Sequence, residues 1–129
     1  MKAKIKKVDM PENKRLICVS DIHGGLDLFR RLLAKVRYSA DDTLILLGDY
    51  IGRGRQQYET LKYVMELSRK PNVHCIRGNW DFAEWVGDQF TPAPSENEWL
   101  DRLPHIIETR DFIFVHAGLA PGDLAGQDA

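Results

Sequence analysis

Five side chains of metal-ligand type fall in short polar clusters along this 129-residue sequence. Asp21 and His23 lie in Ser20-Asp21-Ile22-His23-Gly24, Asp49 follows Gly48, Asn79 follows Gly78, and His116 precedes Ala117-Gly118. Carboxylate oxygens, an amide oxygen and imidazole nitrogens form a mixed donor set that suits Mn²⁺, with Fe or Zn as the other ions it would accept. If Asp49 bridged two ions, it would hold them roughly 3.5–4 Å apart, the spacing of two-metal hydrolytic sites. Such a pair draws the pKa of a bound water towards neutrality and clamps phosphoryl oxygens as negative charge builds. Arg53, just beyond Asp49, offers a guanidinium fork for a phosphate oxygen. The chemistry implied is attack of activated water on a phosphate ester.

Taken singly, none of these signals is specific. Asp-x-His is usually a cap or a surface pair, Gly-Asp and Gly-Asn are turn signals, and an isolated histidine more often sits satisfied in a core. Their placement changes the weight, because each cluster ends an apolar run that has the length of a strand. Arg15–Ser20, Thr43–Leu47 and Val73–Ile76 are such runs. Between them, Leu28, Phe29, Leu32, Leu33 and Val36, and then Leu61, Val64, Met65 and Leu67, recur at helical spacing, with Pro71 stopping the second helix after Lys70. Strand, helix, strand, helix, strand predicts βαβ units and a parallel sheet, an α/β fold. In such a sheet the carboxyl ends of the strands line one crevice, so residues distant in sequence converge there. Further along, the pattern predicts short helices over Phe82–Phe90 and Ser95–Leu103. It also predicts paired strands, Ile106–Thr109 and Phe112–Val115, around an Arg110-Asp111 turn.

The ordered set Asp21-Ile22-His23-Gly24, Gly48-Asp49-Tyr50-Ile51-Gly52-Arg53-Gly54, Arg77-Gly78-Asn79-Trp80-Asp81 and His116-Ala117-Gly118-Leu119 resembles the successive motifs of the calcineurin-like metallophosphoesterases. The nearest branch is that of the serine/threonine phosphoprotein phosphatases and their bacterial relatives, including symmetrical diadenosine tetraphosphate hydrolases. The likeness runs from Arg15 to about Pro121. It implies that residues 1–129 form the N-terminal portion of one such domain: a β-sheet sandwich flanked by helices, with the parallel first half present and the second sheet incomplete. It further implies two divalent ions, the first held by Asp21, His23 and Asp49, the second by Asp49, Asn79 and His116. Arg53 would bind phosphate, with Asn79 and Trp80 also facing substrate, and metal-bound hydroxide would attack without a covalent enzyme intermediate.

Three departures qualify the likeness. The branch typically has a proton-donating histidine where this chain has Trp80, and an aspartate pairing with it where this chain has Gly52. Loss of such an acid lowers rates by roughly 10²–10⁴, least for good leaving groups. A further histidine that relatives supply to the second metal is absent, since His74 and His105 match no motif and are expected to be structural. Asp81 is expected to cap a helix at Phe82 or to support the metal shell. The alternative to a phosphoesterase is therefore a truncated or inactive metal- or phosphate-binding module lacking the acid pair.

Composition narrows the partners. A net charge of −1 gives no basic surface for nucleic acid, and no apolar run approaches the ~20 residues that span a bilayer. Cys18 and Cys75, both in strand-like runs, are expected as buried free thiols of a cytoplasmic protein. An uncovered second-sheet surface is the expected site for a homo-oligomer contact.

Overall fold

The computed structural model describes every residue except Asp88. Its centre is β3 (Thr43–Leu46), a TLIL strand buried at all four positions. Parallel β2 (Leu16–Val19) and β4 (Val73–Cys75) flank it, with Leu16 opposite Thr43 and Leu44 opposite Val73. A strand covered on both faces favours apolar side chains on both, which is why Leu44, Ile45 and Leu46 follow one another without alternation. Leu44 and Leu46 face α1 (Leu26–Lys35) and α2 (Gln57–Ser68), joining Phe29, Leu33, Leu61, Val64 and Leu67 in the larger core. Ile45 points the other way and packs with Ile76 and Ile107 against a second sheet.

That second sheet has the order β1 (Ile5–Lys7), β5 (Ile106–Glu108), β6 (Ile113–Val115). The β5–β6 hairpin is antiparallel, as its sequence pattern predicts. β1 is a strand that periodicity does not reveal. A lysine-rich triplet carries little apolar signal, and its pairing with β5 is parallel and far away in sequence. The architecture is thus two three-stranded sheets with helices on the outer face of one.

Four expectations need correction. Phe82–Phe90 is not a helix: only a 3₁₀ turn forms, Ala83–Val86, and Gly87 ends it at φ +62°. The last part of that range includes Asp88, outside the described residues. Cys18 is exposed, because β2 is an edge strand and the second sheet covers Ile45 but not its neighbour in register. Cys75 is buried, and burial pushes its thiol up to about 12. On α1, Leu28 and Leu32 are exposed, so of the expected stripe only Phe29 and Leu33 are buried, joined by Leu26 outside it. α3 (Pro94–Arg102) begins one residue before its expected start. His74 Nδ1 lies 3.4 Å from Lys6 Nζ, and His105 Nδ1 accepts from the Lys4 amide at 3.0 Å.

Two carboxylates fix the frame. Asp42, just before β3, receives a two-pronged fork from Arg15 Nε and Nη2, each at 2.9 Å, and the Ser39 amide at 2.9 Å. Arg15 above all holds the Asp42 carboxyl down at about 2. Asp81 is fully buried and accepts three backbone amides. Its Oδ2 takes Asp49 at 2.8 Å and Gly78 at 2.7 Å, and its Oδ1 takes Tyr50 at 2.8 Å. It therefore ties the chain leaving β3 to the chain leaving β4. Burial pushes its carboxyl upward, and the three amides oppose that.

Because the folded Asp42 pKa lies below its unfolded value, its stabilisation is present above about pH 4 and is lost as pH falls towards 2. Denaturant midpoints should fall over that window in the parent chain, and Asp42→Asn should remove this component of the fall; an unchanged pH profile would refute the assignment. Asp81→Asn turns an amide NH₂ against a backbone N–H and should destabilise the fold by about 1–3 kcal/mol, measurable by urea unfolding.

Candidate metal centre

The backbone brings the polar clusters together before any side chain does. Beyond β2 and β3 the parallel pairing continues into the loops: Asp21 N–H donates to Gly48 O at 3.0 Å, His23 N–H to Asp49 O at 2.9 Å, and Gly24 N–H to Tyr50 O at 2.9 Å. The two ligand-bearing loops are thus laced in register with the sheet. The loop after β4 closes on them through Gly78, where a Cβ would overlap the Asp49 carboxylate. Any side chain there would push Asp49 out of place.

Asp21, His23 and Asp49 all adopt left-handed backbone, with φ of 58°, 44° and 59°. For residues with a Cβ this costs roughly 1–2 kcal/mol each, and such strain gathers where geometry serves a site. The hydrogen bonds between the loops hold it in place.

Asp49, only 2% exposed, is the hub. Its Oδ1 accepts the Trp80 amide at 2.9 Å. Its Oδ2 lies 3.4 Å from His23 Nε2 and 3.3 Å from His116 Nε2. Asp21 Oδ1 is 3.6 Å from the same His23 nitrogen, and Ser20 donates its hydroxyl to Asp21 Oδ2. Asn79 Oδ1 sits 2.9 Å from His116 Nε2. Asp21, Asp49 and His116 each offer a ligand atom within 4.8 Å of the others.

Both imidazoles are oriented from behind. His23 Nδ1 faces Ile51 O at 3.0 Å, and His116 Nδ1 faces Leu47 O at 2.7 Å. A carbonyl only accepts, so each Nδ1 carries the hydrogen and, in a neutral ring, each Nε2 directs a lone pair at the carboxylates. Lone pairs on nitrogen, carboxylate and amide oxygen then converge on one another. That arrangement fits a cation, and the backbone carbonyls set the ligating tautomer as metal-site histidines require. The donor set suits a divalent ion of the Mn, Fe or Zn kind.

The five expected residues are brought together in a chain of contacts that runs from Asp21 through His23, Asp49 and His116 to Asn79. His116 differs in provenance: it directly follows β6 of the second sheet, so the site lies where the two sheets adjoin and not at one parallel sheet alone. A cavity of about 340 Å³ opens beside it, with Asn79, His116 and Arg77 in its wall. On the other flank, Arg53 is exposed and its guanidinium lies 4.8 Å above the Trp80 ring.

Sequence reasoning passed over one residue. Gln57, 4% exposed in the first turn of α2, accepts the Gly52 amide on Oε1 at 2.7 Å and faces Val86 O with Nε2 at 3.4 Å. It ties the Arg53 loop to the Ala83–Val86 turn. The only signal for it in the sequence is a polar residue directly after a glycine-rich loop.

The calcineurin-like phosphoesterase family model matches residues 14–127. The symmetrical bis(5′-nucleosyl)-tetraphosphatase of Vibrio campbellii is 36% identical over 120 residues, covering 80% of this chain and 44% of that protein. The enzyme of the same name from Yersinia pestis (strain Pestoides F) is 37% identical over 123 residues, covering 80% and 42%. The chain thus spans less than half the length of these curated relatives. Among solved structures, a candidate diadenosine tetraphosphatase superposes with a TM-score of 0.83 at 24% identity, over 98% of this chain and 60% of that one. A serine/threonine phosphatase of Saccharomyces cerevisiae gives 0.68 at 15% identity, over 97% and 49%, a likeness of fold. Sequence and fold lead to the same place, and the chain belongs to the calcineurin-like phosphoesterase family.

Proposed function

We propose that this chain contributes to metal-dependent hydrolysis of phosphate esters at a dinuclear site, with Mn²⁺ as the ion that best fits its donors. The observation that carries the reading is the placement of Asp49 Oδ2 between the Nε2 atoms of His23 and His116. Asp21, His23 and Asp49 would hold one ion, and Asp49, Asn79 and His116 the other. Bound there, the ions would supply an acidified water and positive charge for phosphoryl oxygens. Arg53 holds a phosphate oxygen through its fork of donors, Asn79 borders the phosphate, and Trp80 borders the rest of the substrate.

Water attacks phosphorus directly, without a phosphoenzyme. At position 80 an indole stands in for a proton donor, and indole N–H is no useful acid. Substrates whose leaving oxygen departs without a proton should therefore turn over best, and a serine phosphate should trail by roughly 10²–10⁴. The substrate class is a nucleotide-type ester or a phosphoprotein. The names of the curated relatives favour the nucleotide type. The free thiols support a reducing cytoplasm, and no helix among the described residues is long and apolar enough to cross a membrane.

With p-nitrophenyl phosphate, the metal-stripped chain titrated with manganese should regain turnover, and Asp49→Asn should lose it along with manganese binding measured by calorimetry. Manganese binding without turnover would favour the alternative, a metal-binding module that lacks a working acid pair. Phe112 and Ile113, half exposed around β6, are the surface a second copy would cover. A gel-filtration mass of one chain at micromolar concentration would dismiss that dimer.

A further inference from the structure

Trp80 and Trp85 stand together beside the candidate metal centre, with ring centroids 5.3 Å apart and planes inclined at 55°. Trp80 belongs to the site through its backbone, since its amide holds Asp49 Oδ1, and its ring meets His23 edge-on at 6.1 Å. Trp85 is 47% exposed, an unusual position for the largest apolar side chain. Neither indole is loosely placed. The Trp80 ring lies directly on Gly52, where a Cβ would come within 2.6 Å of Cε3, at a backbone φ of +93°. Gly52 in turn is fixed by buried Gln57, which also reaches the turn that carries Trp85. Glycine at 52 and tryptophan at 80 thus form one fitted unit: the ring occupies the room that a side chain at 52 would need.

The guanidinium of Arg53 rests over the Trp80 ring, a cation–π contact that leaves its donors free for a phosphate. A phosphate drawn to Arg53 therefore arrives with two indoles alongside. We infer that Trp80 and Trp85 form a specificity subsite for a planar aromatic group carried by the phosphate substrate. The group is an aryl ring joined directly to the phosphate or a nucleobase joined through its sugar. The inference rests on the phosphoesterase reading above and narrows its substrate class to aromatic phosphates. Trp80, the ring nearer the ligand cluster, suits a directly attached aryl group; Trp85, further out, suits a base held at the length of a ribose.

Non-hydrolysable phosphonates separate this subsite from the chemistry. Methylphosphonate, phenylphosphonate and an adenosine 5′-phosphonate would be titrated into the manganese-loaded chain by calorimetry, with indole fluorescence recorded in parallel. At least one aromatic ligand should bind about tenfold or more tighter than methylphosphonate, the factor that one stacked ring contributes, and should quench the indoles. Trp80→Leu should erase the advantage of the phenyl ligand and Trp85→Leu that of the adenosine ligand, so the variant that responds identifies the source of the ring. Trp85→Phe should retain most of it, which distinguishes stacking from damage to the fold. Equal affinity for all three ligands would overturn the subsite and leave the phosphoesterase reading standing. Failure to bind any phosphonate, together with no turnover of p-nitrophenyl phosphate, would overturn that reading and the subsite with it.

Discussion

The site depends on a buried carboxylate that is not itself among the candidate ligands. Asp81 accepts the amides of Asp49, Tyr50 and Gly78 at once and so fixes the relative position of two loops that leave neighbouring strands. An ionised carboxylate is costly to bury, and only a full set of donors makes it tolerable. The same donors are backbone groups of the ligand loops, which would otherwise be unsatisfied where the ladder ends. One desolvated charge and three stranded amides solve each other's problem, and Asp49 is aimed as a result. Tyr50 adds to the joint: its buried hydroxyl lies 2.7 Å from Ile76 O and 3.0 Å from Leu46 O, again linking β3 to β4.

Around that joint the polar design is spare. Asp49 has one oxygen engaged by an amide and the other turned to two imidazoles, each steered by a main-chain carbonyl. Apart from the Ser20 hydroxyl on Asp21, the orienting partners of these ligands are backbone groups. The geometry follows from the sheet register and not from flexible side-chain pairs, which is the condition for a preorganised centre.

What the residues disclosed in advance tracks how local the signal was. β3 is legible because the unbroken apolar run Leu44-Ile45-Leu46-Leu47 admits few other readings, and α2 because its buried positions repeat at helical spacing. The ligand clusters are legible because polar residues ending apolar runs are chemically conspicuous. β1 is not legible: its partner strand is distant and its own side chains are mostly lysine. Nor is the exposure of Cys18, which depends on how far one sheet extends over the other. The origin of His116 in the second sheet and the bridging role of Gln57 are tertiary facts with no local pattern. Trp80 and Gly52, by contrast, were visible as departures, and the structure adds that they touch.

The pairing of β1 with β5 bears on the order in which the chain assembles. Lys4 meets His105 across 101 positions, and Ile5 cannot complete its ladder until Ile106 exists. Contacts of such separation are entropically slow to close. During synthesis the first sheet and its two helices can condense while the amino-terminal segment still waits for its partner. His116 directly follows that same hairpin, so it joins the other four candidate ligands only once β5 and β6 have formed.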